Sequence, residues 1–235
     1  MIVSIHQPAY LPWLGYLHRI AVSDLHVVLD HVQFEKNSFI NRNKVRTHAG
    51  WCWLTVPLAT SHRFGDLAIH QVQISDDPRW ARKHWETLRQ SYARAEHFAA
   101  YAPWLEESYA RPWRRLAELI AEMTAWQLEA FGIRTPLVYS SQLGVGGVKS
   151  DLVLNLCREV GADAYLSGPL GRDYLDEAAF ARAGIEIAYH DFRHPVYRQI
   201  HGQFESGMAA IDLLFNHGRD DARSILMTST EAALR

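Results

Sequence analysis

Two short β-branched runs near the start constrain this chain most: MIVSI at residues 1–5 and LHVVLDHVQF at residues 25–34. Both read as strands. Between them, WLGYLHRIAVSD places Leu14, Leu17, Ile20 and Ala21 on one helical face. Strand, helix and strand in so few residues form a βαβ unit, which requires a parallel strand pair and a right-handed crossover. The rhythm returns further on. TPLVYSSQL, DAYLSG and IEIAYHDF read as strands, and SDLVLNLCREVGA (opened by Ser150, ended by Gly161) and LDEAAFARAG read as helices. The expected fold class is therefore α/β, a Rossmann-like three-layer, mostly parallel sheet.

The middle of the chain departs from that rhythm. EKNSFINRNKVRTHAG is polar and basic with no clear period and reads as a loop. WCWLTVPL reads as a third strand and HQVQIS as a fourth. From Asp76 the pattern turns helical. Ser75 or Asp76 before Pro78 is a capping signal, Trp80, His84 and Leu88 share a face, and Gly132 closes the segment. The 235 residues thus read as one α/β domain, 1–235, with 76–132 as a helical segment inserted between sheet halves.

Composition removes several functional classes. A formal charge of −2 gives no basic surface for DNA. No apolar window approaches the ~18 residues of a membrane span, and the N-terminus lacks a signal-peptide pattern. Cys52 and Cys157 form neither a CxxC pair nor a disulfide framework. A cytoplasmic protein, working as a monomer or homodimer on a small-molecule substrate, is the expectation.

Ligands of open parallel sheets bind beyond the carboxyl ends of the strands. Read along the chain, those ends carry His6 and Gln7; Asp30, His31 and Gln33; Ser140, Ser141 and Gln142; Ser167 and Gly168; and His190, Asp191 and His194. His6 is the first candidate acid or base, because Gln7 and Pro8 place it in a stiffened turn. Asp30 and Asp191 are candidate carboxylates for orienting a histidine. Lys36, Asn41, Arg42 and Asn43 offer cations and amides for an anionic or hydroxyl-bearing substrate. His190, Asp191 and His194 with His6 are a conceivable metal set, but no ligand spacing supports one, and no metal is expected. LGVGGVKSD fails the P-loop pattern, since Val148 separates Gly147 from Lys149, and reads as a loop.

The stretches IHQPAYLPWLGYLHRI, LDHVQFEKNSFINRNKV, WLTVPL, YLSG and IDLLFNHG resemble the WbqC-like protein family, in order, from residue 1 to about residue 218. The resemblance covers His6, Gln7, Pro8, Tyr10, Pro12, Trp13, Gly15 and Tyr16. It extends to Asp30, Gln33, Phe34, Lys36, Asn41, Arg42 and Asn43, and to Ser167, Gly168, Tyr197, Gln199, Asp212 and Asn216. His31 stands where the family usually has Asp, so nothing essential is assigned to it. The family occurs among genes for O-antigen, other polysaccharide and small-molecule biosynthesis. That implies a biosynthetic enzyme, read here as a transferase moving an acyl or aminoacyl group to an amine. His6 would carry the proton, with Asp30 and Asp191 as further catalytic candidates. Gln7, Tyr10, Trp13, Gln33, Lys36, Asn41, Arg42, Asn43, Ser167, His190 and His194 would hold substrate, a nucleotide-linked amino sugar or an activated amino acid. The opening also resembles that of nucleotidylyltransferases and pantothenate-synthetase-like ligases, without their paired HxGH. An ATP-dependent ligase and a non-catalytic glycan-binding or scaffold protein are the alternatives, and no cofactor is specified.

Overall fold

A computed structural model describes residues 1–59 and 67–228. The first unit is β1 (Ile2–His6), α1 (Leu14–Ala21) and β2 (Leu25–Val28). A hairpin follows, β3 (Arg42–Thr47) and β4 (Gly50–Thr55), then helices α2 (Arg79–Tyr92), α3 (Phe98–Ala110) and α4 (Leu116–Ala130). The chain continues through β5 (Leu137–Tyr139), α5 (Lys149–Glu159), β6 (Ala164–Ser167), α6 (Glu177–Arg182), β7 (Glu186–Tyr189) and α7 (Ile211–Met227).

The main sheet has the order β5-β2-β1-β6-β7, and every neighbouring pair in it is parallel. The α/β, Rossmann-like three-layer reading holds. Alternation along β1 assigns its faces. Val3 and Ile5 pack with Leu152, Leu156 and Phe180 of α5 and α6. Ser4 faces the other way, and its hydroxyl lies 2.8 Å from Nδ1 of His26 of β2 across the pair, while His26 Nε2 is buried without a partner. Leu14, Leu17 and Ile20 of α1 join Leu213 and Leu214 of α7 on the opposite side of the sheet. No helix among the described residues is long and apolar enough to cross a membrane.

The middle of the chain differs from its sequence reading. The stretch expected as a basic loop contains β3. There Asn43, Val45 and Arg46 are buried while Arg42 and Lys44 are only half-buried. Polar side chains at inward positions erased the apolar alternation that would have marked a strand. WCWLTVPL does supply a strand, but β4 pairs antiparallel with β3 in a separate two-stranded sheet. HQVQIS, expected as a fourth strand, forms a 3-10 turn at Ile69–Gln71 and then single bridges, Gln73 to Arg115 and Ile74 to Leu58. The helical stretch is three helices, and the first begins at Arg79 after Pro78, with Asp77 accepting the Arg79 N–H at 3.0 Å. Hairpin and helices share a core built on Tyr10, Val45, Leu88, Tyr92, Leu119 and Phe215.

One expectation about α1 also changes. Sequence periodicity gives it a single apolar face, yet Leu14 to Ile20 are all buried, His18 and Arg19 included. The turn after β6 and the residues after β7 cover the side that the pattern leaves polar.

Candidate active site

The strand order fixes where a ligand can enter. From β1 the chain crosses to β2 on one side, while β6 lies against β1 on the other. The crevice beyond the carboxyl ends of β1 and β6 is thus the topological switch point of the sheet. A cleft of about 780 Å³ lies there. His6 and Gln7 close β1 on one wall, Ser167 and Gly168 close β6 on another, and His190 and Asp191 follow β7.

His6 has a defined chemical state. Its Nδ1 lies 2.7 Å from the Gln7 carbonyl oxygen, which can only accept, so Nδ1 carries the proton. Nε2 is then the acceptor of the ring. Burial pushes its pKa down to about 3, helped by the positive charge of Arg19 and opposed by the bond to Gln7. Trp13 and Tyr16 meet the imidazole edge-on, with ring centroids 5.7 and 5.1 Å away. The ring is therefore neutral with a fixed tautomer, and Nε2 is its one basic atom, weakened as a proton acceptor by burial.

His190 is neutral for similar reasons. Burial, then Arg19, then His18 push its pKa down to about 3. Its Nε2 lies 2.8 Å from His18 Nδ1, so one of the two rings donates to the other. Asp191 stands exposed at the rim, and Ser167 donates to the Gly168 carbonyl at 3.0 Å. Among the described residues, no group of three or more His, Cys, Asp or Glu side chains is arranged to hold a metal ion.

These histidines link the site to folding. Burial drives down His6, His190, His84 (to about 4) and His26. An unfolded chain protonates its histidines near pH 6.5, whereas the folded one resists until about pH 4 or below. The unfolded state therefore binds more protons in that window, and stability falls as pH drops through it. Urea midpoints measured from pH 7 to pH 4 should decline steadily; a flat profile would contradict the neutral state assigned to these rings.

The structure brings His6, Gln7, Trp13, Ser167, His190 and Asp191 to one cleft. It holds the other sequence candidates elsewhere. Tyr10 is fully buried, with its hydroxyl on Tyr109 and 2.9 Å from His84 Nδ1. Asn41 donates to the Val56 carbonyl at 2.9 Å, and Asn43 donates to that of Leu11. Asp30 accepts from the Ser140 hydroxyl at 3.0 Å, and from the Ser141 N–H and hydroxyl at 2.8 and 2.7 Å. It thereby ties the end of β2 to the turn after β5. His31 Nδ1 is 2.7 Å from the Ser140 hydroxyl. His194 lies 2.8 Å from the Pro195 carbonyl through Nδ1 and accepts the Gly207 N–H at 3.2 Å. Gln33 and Lys36 are exposed. Arg42 donates to the Asn37 carbonyl and lies over the Trp53 ring at 4.5 Å. Of the basic loop, only Ser38, Phe39 and Ile40 reach the cleft, because Arg42 onward is committed to the hairpin. The glycine-rich stretch before α5 does not line it.

Two features escaped the sequence reading. Arg19, which no motif or periodicity singled out, is buried on α1 and lines the cleft. Phe39 stands between Trp13 and Trp53, at 5.2 and 5.8 Å, and Trp53 meets Trp51 at 6.0 Å. Rings thus run from the hairpin to the wall of the cleft. The aromatic density of HQPAYLPW and WCW was the available signal, though spacing alone could not join two segments so far apart.

Residues 7–224 match the WbqC-like protein family. A relative, the uncharacterized protein Rv1507c of Mycobacterium tuberculosis, is 34% identical over 220 residues, which span 93% of this chain and 94% of that one. No solved structure matches the chain.

Proposed function

This chain belongs to the WbqC-like protein family, and from that premise we propose that it is a biosynthetic transferase that moves an acyl or aminoacyl group onto an amine. The switch-point cleft is its active site, and a small or nucleotide-linked amino sugar is its acceptor. The observation that carries this reading is His6, a neutral base with a fixed tautomer at the carboxyl end of β1. The substrate amine attacks the acyl carbonyl carbon as His6 Nε2 takes a proton from the amine nitrogen. The tetrahedral intermediate collapses, the bond to the leaving group breaks, and the imidazolium returns its proton to that group. Gln7, in the same wall, carries the amide donor that a developing oxyanion requires. Trp13, Phe39 and Trp53 give the sugar or base portion of the substrate a stacking surface.

That ring series also favours a second reading, a glycan-binding protein without turnover, since Trp51 and Phe39 remain 42% and 41% exposed. Incubating the protein with nucleotide-linked amino sugars and a panel of acyl and aminoacyl donors, followed by mass spectrometry, separates the two. The transferase reading expects an acceptor heavier by one acyl group, formed only with protein present. Saturable sugar binding with no modified acceptor across the panel would reject the transferase and leave the binding protein.

A further inference from the structure

Arg19 is only 6% exposed, on the packed side of α1. Its Nε is fully buried and without a hydrogen-bond partner. The groups that favour its charge are the phenols Tyr165, Tyr16 and Tyr174, with no carboxylate among them. Guanidinium stays charged in proteins, so a lone buried one is costly unless an anion joins it. The surroundings are shaped around this head group. A Cβ on Gly168 would lie 2.5 Å from Arg19 Nη1, and one on Gly171 would lie 2.0 Å from Ser167 Oγ. Glycine at these two positions lets the guanidinium and the serine hydroxyl occupy the floor of the cleft.

We propose that Arg19 anchors an oxyanion subsite in the floor of this cleft, binding the carboxylate or phosphoryl group of the substrate. The fork of a guanidinium gives two parallel N–H donors to two oxygens on one atom, which suits either group. Placement of the subsite between His6 and Ser167 rests on the reading of this cleft as the active site. The subsite gives substrate a second role. Arg19 is one of the groups that hold down the basicity of His6 and His190. An anion on Arg19 offsets that part of the depression, while burial, the larger cause, continues to hold both rings neutral.

The test uses sodium phosphate and sodium acetate as separate probes, with chloride at matched ionic strength as control. Thermal melts and histidine ring NMR shifts are followed on the whole protein. Wild type should show a saturable rise in melting temperature with at least one probe, together with shifts of the His6 and His190 rings. Phosphate alone acting identifies a phosphoryl site, acetate alone a carboxylate site, and both a general oxyanion site. Arg19→Met should lose the response and, without probe, melt at or above wild type, because an apolar chain replaces an unpaired buried charge. Arg19→Lys should bind about tenfold more weakly, lacking the fork. Absence of a saturable response in wild type overturns the subsite, as does an Arg19→Met protein that binds like wild type. Should Arg19→Met fail to fold, the wild-type ring shifts and Arg19→Lys decide alone. Anion binding that survives in His6→Ala establishes the subsite even if the transferase reading fails. Turnover that depends on His6 but not on Arg19 would leave that reading standing and remove the subsite.

Discussion

His6→Ala is expected to lower acyl-transfer turnover about 10²- to 10⁴-fold, the span usually lost with a general base, while leaving the fold intact. Among the described residues the ring makes one hydrogen bond, to the carbonyl of the next residue, so its removal breaks no tie between distant elements there. Its edge-on contacts with Trp13 and Tyr16 are lost, and those rings still pack on each other at 5.6 Å. Steady-state rates on the acceptor found by mass spectrometry, paired with a circular dichroism melt, give both quantities. Loss of turnover in a protein that melts within a few degrees of wild type supports the assignment. Full activity in His6→Ala would remove His6 as the base. His6→Asn keeps a donor near the position of Nδ1 but has no basic nitrogen, so it should be as inactive as alanine.

Asp212→Ala is expected to cost about 3–5 kcal/mol of stability, as expected when one partner of a buried charged network is removed. Asp212 is fully buried on α7. Its carboxylate accepts from the Tyr92 and Tyr197 hydroxyls and from the Gln199 amide, each at 2.8 Å. Tyr92 in turn accepts the Arg46 N–H of β3 at 2.9 Å. One carboxylate thus joins the hairpin, α2, the segment before α7 and α7 itself. Burial raises its pKa more strongly than those three donors lower it, so the site depends on keeping every donor engaged. Urea denaturation should show the loss as a lower midpoint. Asp212→Asn, which retains an acceptor oxygen, should lose clearly less, and a cost below about 1 kcal/mol for alanine would contradict this account.

Much of the site could be read from the chain because strand ends are local features. Strands buried on both faces appear as short β-branched runs, and whatever polar residue follows them stands at the carboxyl edge. His6, Gln7, Ser167, His190 and Asp191 were found in that way, and all line the cleft. Asp30 follows the same rule yet serves the turn after β5, because Ser140 and Ser141 come within hydrogen-bonding reach only once β5 pairs with β2. Asn41 and Asn43 read as ligand donors, but they satisfy the backbone carbonyls of Val56 and Leu11, and no local pattern distinguishes those two uses of an amide.

By itself the sequence determined the parallel α/β rhythm, the first βαβ unit and a polar edge beginning at His6, since each follows from the 2.0 and 3.6 periodicities of a local segment. Tertiary structure alone decided that β3 and β4 stand apart as a hairpin and that Arg19 lies inside. Residues remote in sequence impose that burial: Tyr165, Gly168 and Tyr174 lie about Arg19, outside the apolar face of α1 that periodicity marks. Periodicity reports which face of a helix is apolar. Only long-range packing determines whether the other face meets water or, as here, forms the floor of a cleft.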